Sequence, residues 1–365
     1  MTGLLISFLL ASVQVAGGPD DHRLYGRVTL EDGRVVTGYF RWDGNEASRQ
    51  DFLDASREIP RAILEEAERL DPDFAAEMRR RRSIVAFGMR IRWDEDDLEG
   101  PPSVPMAVRF AHLRSLAPLD GGGARLELTD GYTVDVRGTT TDVGPGMRDL
   151  VVDTGDGRVE VDWHDMLRVD FMKPPPGSPM AADSTLYGTV RTWGELDRTG
   201  FVAWDRDEVF LSDVLDGRND SGERQIAFRD IGAIAPEGRR SAQVTLRTGE
   251  VLSLRGTNDV DRGNRGIEVS GMGWGRVIVP WGDLESVRFG PRGAEEDVEV
   301  DIGPIRGTVY ARDGRVLEGT LRWGHEEERR WELLDGWHGD TSVQIEFGAI
   351  EQIRPDEDDG SVIVL

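Results

Sequence analysis

One stretch of this chain occurs three times, and that recurrence limits the possible folds more than any other property of the sequence. The first copy runs Leu24-Tyr25-Gly26-Arg27-Val28, then Asp32-Gly33-Arg34, Gly38-Tyr39-Phe40-Arg41-Trp42-Asp43. The second has Leu186-Tyr187-Gly188-Thr189-Val190 and Gly200-Phe201-Val202-Ala203-Trp204-Asp205. The third has Ile305-Arg306-Gly307-Thr308-Val309, Asp313-Gly314-Arg315 and Gly319-Thr320-Leu321-Arg322-Trp323. Each reaches a Leu-Asp step (Leu53-Asp54, Leu215-Asp216, Leu334-Asp335) and closes on a strand ending at Pro118, Pro236 or Pro355. We call this stretch A. A different stretch, B, follows the first two copies: Leu126-Glu127-Leu128 to Val169-Asp170-Phe171 matches Val244-Thr245-Leu246 to Val287-Arg288-Phe289. The order is A–B–A–B–A, with Ser361-Val362-Ile363-Val364-Leu365 matching the opening strand of a further B.

Within each stretch apolar residues alternate with period two around turn residues. Val28, Leu30, Val36 and Phe40 bracket Asp32-Gly33-Arg34, a hairpin signature. The 45 glycines and 17 prolines among 365 residues suit many short strands better than long helices. At roughly 50–60 residues each, the stretches are too small for large sandwiches and suit small barrels or propeller blades. The expectation is an all-β fold of tandem small β-barrel modules in A–B–A–B–A order with one α-helical hairpin insertion. Module boundaries fall at 24–118 (A1, insert 57–82), 124–172 (B1), 186–236 (A2), 242–290 (B2) and 305–355 (A3), with 361–365 as the first strand of another B module. The insert stands out because Ile63, Leu64, Ala67 and Leu70 fall at helical spacing, with Glu65 four residues before Arg69. Asp71-Pro72 then predicts the start of a second helix, ending in Arg79, Arg80, Arg81 and Arg82.

Charge and cysteine usage exclude several classes of function. A formal net charge of −25 opposes a nucleic-acid or anionic-membrane surface, which needs clustered cations. With no cysteine there is no disulfide framework and no thiolate metal site. Residues 1–17 have the form of a secretory signal, with an apolar run over 4–15 too short to span a bilayer and small residues after it. No Lys or Arg precedes that run. The expected location is the periplasm or the exterior, reached through this signal, with no transmembrane segment.

The A stretch, through Val28-Thr29-Leu30-Glu31-Asp32-Gly33-Arg34, Gly38-Tyr39-Phe40 and Asp43 with the closing strand 108–118, resembles an Sm-like or SH3-type small β-barrel. The likeness covers about 50 residues per copy. Sm-like proteins hold a base with an asparagine after the motif's aspartate. The second copy has Asp205-Arg206-Asp207-Glu208 there and the third Gly324-His325-Glu326, so RNA binding is not implied. The arrangement is also similar to exported repeat proteins of Gram-negative bacteria, which implies no mechanism.

The recurring Trp-Asp-x-x-Glu pattern is the most chemical-looking feature: Trp42, Asp43, Glu46; Trp204, Asp205, Asp207, Glu208; Trp323, Glu326, Glu327. As a site, the tryptophan would stack on a sugar while the acids grip hydroxyls or Ca²⁺. As structure, the tryptophan plugs a core and the acids occupy the following turn; recurrence favours this second reading. Asn258-Asp259-Val260-Asp261 lacks the order of a calcium loop, and Asp142/Arg148 with Asp259/Arg265 suggest loop-bracing ion pairs. The five histidines show no zinc spacing, and no nucleophile elbow is present. No catalytic, cofactor or metal residues are therefore assigned, with Ca²⁺ the one cofactor considered. Binding candidates are Arg79–82 and Trp204, Asp205, Asp207 and Glu208. The expected function is a non-enzymatic exported scaffold or binding protein, its partner a protein or glycan at the cell envelope. The alternative is a carboxylate-dependent hydrolase acting on polysaccharide.

Overall fold

A computed structural model describes residues 22–70, 72, 83–86, 89–92, 103–138, 141–178, 183–271, 273–292, 300–324, 327–356 and 360–365. The expected signal at 1–17 and Arg79, Arg80, Arg81 and Arg82 lie outside them. The protein is mostly β, with 55% strand and 8% helix, arranged as several antiparallel sheets. Among the described residues no helix is long and apolar enough to cross a membrane.

Stretch A1 supplies β1 (Tyr25–Leu30), β2 (Val35–Arg41), β3 (Phe52–Glu58), β6 (Ser103–Arg109) and β7 (Leu113–Leu119). Between β3 and β6 lie α1 (Arg61–Leu70) and a separate hairpin of β4 (Ser83–Ala86) and β5 (Met89–Arg92). Stretch B1 supplies β8 (Gly123–Leu128), β9 (Thr133–Arg137), β10 (Leu150–Asp153), β11 (Arg158–Val161) and β12 (Met166–Met172). In the second pair, A2 gives β13 (Tyr187–Thr192), β14 (Asp197–Ala203), β15 (Val214–Asn219), β16 (Gly222–Ala227) and β17 (Ile231–Pro236). B2 gives β18 (Ser241–Leu246), β19 (Val251–Arg255), β20 (Ile267–Gly271), β21 (Gly275–Val279) and β22 (Leu284–Phe289). A3 gives β23 (Arg306–Tyr310), β24 (Val316–Thr320), β25 (Leu333–His338), β26 (Thr341–Glu346) and β27 (Gln352–Pro355), and β28 (Ser361–Val364) follows.

Two features depart from expectation. First, no sheet closes into a barrel. A and B strands instead interleave within one ten-stranded sheet, β11-β10-β2-β1-β12-β7-β8-β9-β3-β6. Replacing each A strand by the B strand of the same rank reverses this order without changing it, so the pair has a topological two-fold between β12 and β7. The second sheet has the same order, β16-β15-β19-β18-β17-β22-β13-β14-β20-β21, and continues into β26-β25 of A3. Second, the insert contains one described helix. Its first helix forms as predicted over Arg61–Leu70, built from good helix formers and braced by Arg61 near Glu65 at 3.5 Å. Strand β3 runs on to Glu58, past the expected start of the insert at 57, and the unanticipated β4–β5 hairpin follows the insert. The predicted second helix falls largely outside the described residues.

Each pair has one apolar core drawn from both of its stretches. Val28, Phe40, Trp42, Leu53 and Phe110 of A1 pack with Leu126, Leu150, Val152, Trp163 and Val169 of B1. In the second pair Val190, Trp204 and Phe228 pack with Val244, Ile267, Trp281 and Val287. Neither stretch encloses a core alone, which is why the strands interleave: burial of apolar area is what drives the pairing.

Candidate functional site

The Trp-Asp motif forms a tight turn. Trp42 bridges Glu46 and Trp204 bridges Glu208, with Asp43 and Asp205 at φ 46° and 48°. Glycine takes that left-handed position in the third copy, Gly324 at φ 55°, which accounts for the sequence difference there. Trp42 and Trp204 are fully buried and present no face to solvent. Each indole N–H donates to a carbonyl of the paired B stretch, Asp142 at 2.9 Å and Asp259 at 3.0 Å.

The acids of the turn are engaged by the chain's own donors. Asp43 accepts from the Arg148 amide at 2.5 Å and from the Thr141 hydroxyl; Asp205 accepts from the Arg265 amide at 2.5 Å and from Asn258. Asp142 and Asp259 cap the amides of Asp54 and Asp216, both at 2.7 Å. The expected brace within the B loop is thus redirected. Arg148 lies 3.7 Å from Asp43, and Arg265 pairs with Asp205 at 3.1 Å and with Asp207. These bonds tie A to B, so the knot closes the pair rather than a single loop.

Burial shifts the protons of this knot. Desolvation, then Asp207 beside it, pushes Glu208 up to about 9; desolvation also raises Asp259 to about 6. In the first pair Glu46 is raised well above the usual range by burial and then by Asp142. Asp205, Glu208 and Asp259 bring carboxylate oxygens within 4.8 Å of one another, a spacing that a cation could bridge. Here Arg265 supplies positive charge to Asp205, and the raised pKa of Glu208 favours its neutral form, while Glu208 Oε2 is buried without a hydrogen-bond partner among the described residues.

The two knots face each other across a cleft of about 420 Å³ between the pairs. Glu46, Asp51, Asp54, Asp142 and Arg148 line one side, and Arg206, Arg265, Glu268, Ser270 and Arg276 the other. Asp207 and Glu208 belong to the same turn as Arg206, and Asp207 also accepts Arg41 through its carbonyl at 2.9 Å. Of the binding candidates inferred from sequence, Trp204 and Asp205 are therefore in the core, while Asp207 and Glu208 are partly buried beside the cleft wall.

Behind the cleft the pairs and A3 meet at a buried charged junction that the sequence reading missed. Arg109, fully buried, donates to Glu346 of A3 at 2.9 Å, to Gln50 at 2.9 and 3.0 Å, and to the Gly271 carbonyl at 3.0 Å. His112 also meets Glu346 at 2.9 Å. Arg276 forks onto Asp54 at 2.5 and 3.1 Å and reaches Gln344 at 2.5 Å. Both guanidinium groups lie over the Phe52 ring, 4.5 and 4.9 Å from its centroid. Burial opposes the charge of Glu346, but Arg109 and His112 overcome it and hold its pKa down to about 2. Arg109 and Glu346 precede the matching phenylalanines Phe110 and Phe347 in A1 and A3, so one repeat position carries opposite charges that meet. That complementarity was the available signal.

No family model, curated protein or solved structure matches the chain.

Proposed function

We infer that the protein is a non-catalytic scaffold or binding protein of the cell envelope, offering the cleft between its two A–B pairs to a polar partner, a protein or glycan. One observation carries this reading: Asp43, Asp54 and Asp205 around the cleft are held by ion pairs and backbone hydrogen bonds, while Glu46 Oε2 and Arg206 Nε in its lining have no hydrogen-bond partner among the described residues, which makes a preorganised polar surface with groups left to meet a ligand. The volume lies in the range of small-ligand sites. Each A–B pair, rather than each module, is the unit that folds in this reading, and it replaces the free-standing small barrel. The apolar run at 4–15 with small residues after it supports export. The test is a screen of envelope polysaccharides, glycans and envelope proteins by titration. Saturable binding that Arg206→Ser removes, with melting unchanged, supports the reading; indifference of every bound ligand to Arg206 and Glu268 substitutions sinks it.

A carboxylate-dependent hydrolase has one observation in its favour. Glu46 and Asp142 on the cleft wall are both raised well above the usual carboxyl range by burial, as a general acid requires. Polysaccharide turnover lost in Glu46→Gln while binding persists would favour that alternative.

A further inference from the structure

The two A–B pairs share a backbone frame but differ at one hollow in their surface. In the first pair a pocket of about 220 Å³ opens beside β1, the end of β12 and the turn before β7. It shares no lining residue with the cleft between the pairs. Tyr25, Phe110, Phe171 and Met172 form its apolar wall, with the Phe110 and Phe171 rings edge to face at 5.5 Å. Arg49, Arg114 and Lys173 complete it, and among the described residues no Asp or Glu lines it. The chain carries 69 acidic residues against 44 basic ones, so three cations without an acid among them reverse the protein's charge locally.

The second pair builds the same place without these cations. Backbone hydrogen bonds align the two frames. The Arg49 and Leu211 amides donate to the His22 and Ser184 carbonyls at 2.7 and 2.9 Å. Those of Ala111 and Arg229 donate to Arg49 and Leu211 at 2.8 and 2.9 Å, and those of Thr129 and Arg247 to His112 and Asp230 at 2.9 and 2.8 Å. On this frame Arg49 stands where the second pair has Leu211, Arg114 where it has Gly232, and Lys173 where it has Pro291. Leu211 packs against the apolar core of its pair. An arginine in that place forfeits the burial, so the frame gives no reason for it. The mouth differs in the opposite sense. Ala111 and Thr129 stand where the second pair has Arg229 and Arg247, and Arg247 Nε donates to the Arg229 carbonyl at 2.9 Å. Two long side chains there give way to small ones at the first pair's hollow.

Charge and size together specify an occupant. Arg114 is fixed beside the pocket by Glu127 at 3.2 Å and by the Thr129 carbonyl at 2.5 Å. A guanidinium fork matches a carboxylate, and an ammonium adds a point charge to it. A dry cavity of roughly 150 Å³ holds a benzene ring. The larger volume here takes such a body together with its carboxylate. We propose that the pocket binds a small organic monocarboxylate with an aryl or short alkyl body. The body lies on Phe110, Phe171 and Met172, and the carboxylate meets Arg49 and Lys173. This site is independent of the cleft and of the reading given to it.

The sequence supplies a probe at the site itself. Lys173 is the only lysine, so reductive methylation of the full-length protein with isotope-labelled formaldehyde gives one side-chain NMR signal and keeps the charge. Titrated with benzoate or hexanoate, that signal is expected to move saturably with a Kd of ~1 mM or tighter. Benzamide, which lacks the charge, and acetate, which lacks the body, are expected to bind at least about tenfold more weakly. Arg49→Leu, a side chain the same frame accepts at Leu211, should weaken benzoate at least about tenfold without lowering the melting temperature. Ala111→Arg combined with Thr129→Arg should close the pocket to both acids. A signal that fails to saturate by ~10 mM of either acid, equal affinity for benzoate and benzamide, or benzoate binding that Arg49→Leu leaves intact would overturn the proposal.

Discussion

The tryptophans at one repeat position meet two fates. Trp204 is sealed in a core and donates to the Asp259 carbonyl, while Trp323 ends a matching strand and stays 43% exposed. The local sequence is much the same in both, and so is the turn, with Trp323 bridging Glu327. The difference lies in the neighbour: B2 strands close over A2, and no described strand takes that position over A3. Burial in this protein belongs to the A–B pair and not to the module, which is the physical content of the interleaved sheet.

The sharpest way to break that comparison is truncation at the two positions. Trp204→Ala should cost about 3–5 kcal/mol, and Trp323→Ala under about 1 kcal/mol, by chemical denaturation followed at separate probes for the two regions. Equal costs would mean that A3 is closed in solution. The junction that holds A3 to the pairs comes next. Arg109→Leu should destabilise by about 3–5 kcal/mol because it strands the Glu346 carboxylate in the interior; adding Glu346→Leu should recover most of the loss. If the double variant is no better than the single one, the pair is not the fastening. Hydrogen exchange offers a smaller contrast: amides of the β23–β24 hairpin should exchange at least about tenfold faster than those of β1–β2. Matching protection in the two hairpins would contradict the open edge.

Proton linkage separates the two regions further. Glu208, held up to about 9, contributes stability that is complete below its unfolded value near 4.5 and is lost as pH rises through about 9. Glu346, held down to about 2, contributes in the opposite sense: its share is present above about 4.5 and lost as pH falls toward 2. Melting should therefore show the knot of the second pair weakening in alkali and the A3 junction weakening in acid. Glu208→Gln should flatten the alkaline decline and change little at pH ~5; a decline that persists unchanged would assign it elsewhere.

Much of this was legible in advance at the level of strands. Alternation around Asp32-Gly33-Arg34 marks the β1–β2 hairpin, and the spacing of Ile63, Ala67 and Leu70 marks α1. The turn at Asp43 and Asp205 was visible as the place after a tryptophan where glycine is tolerated. Partner choice was not legible. β1 and β8 carry near-identical alternation, so nothing local tells β12 from β7 as the strand beside β1. The sequence reading closed each module on itself for that reason. The junction was hidden for a related one: Arg109, Asp54, Arg276 and Glu346 look like ordinary surface charges until four distant segments bring them together.

By itself, then, the sequence determined the period-two strands of the repeats, the turns that join them, the helix α1 and the absence of any disulfide framework. Periodicity and turn chemistry are local properties, and they survive without tertiary context. Tertiary structure decided which strands lie side by side, which tryptophans are core and which charges are paired. Those outcomes depend on where apolar area and backbone hydrogen bonds find their complements, and in this chain the complements lie in a neighbouring stretch rather than in the module itself.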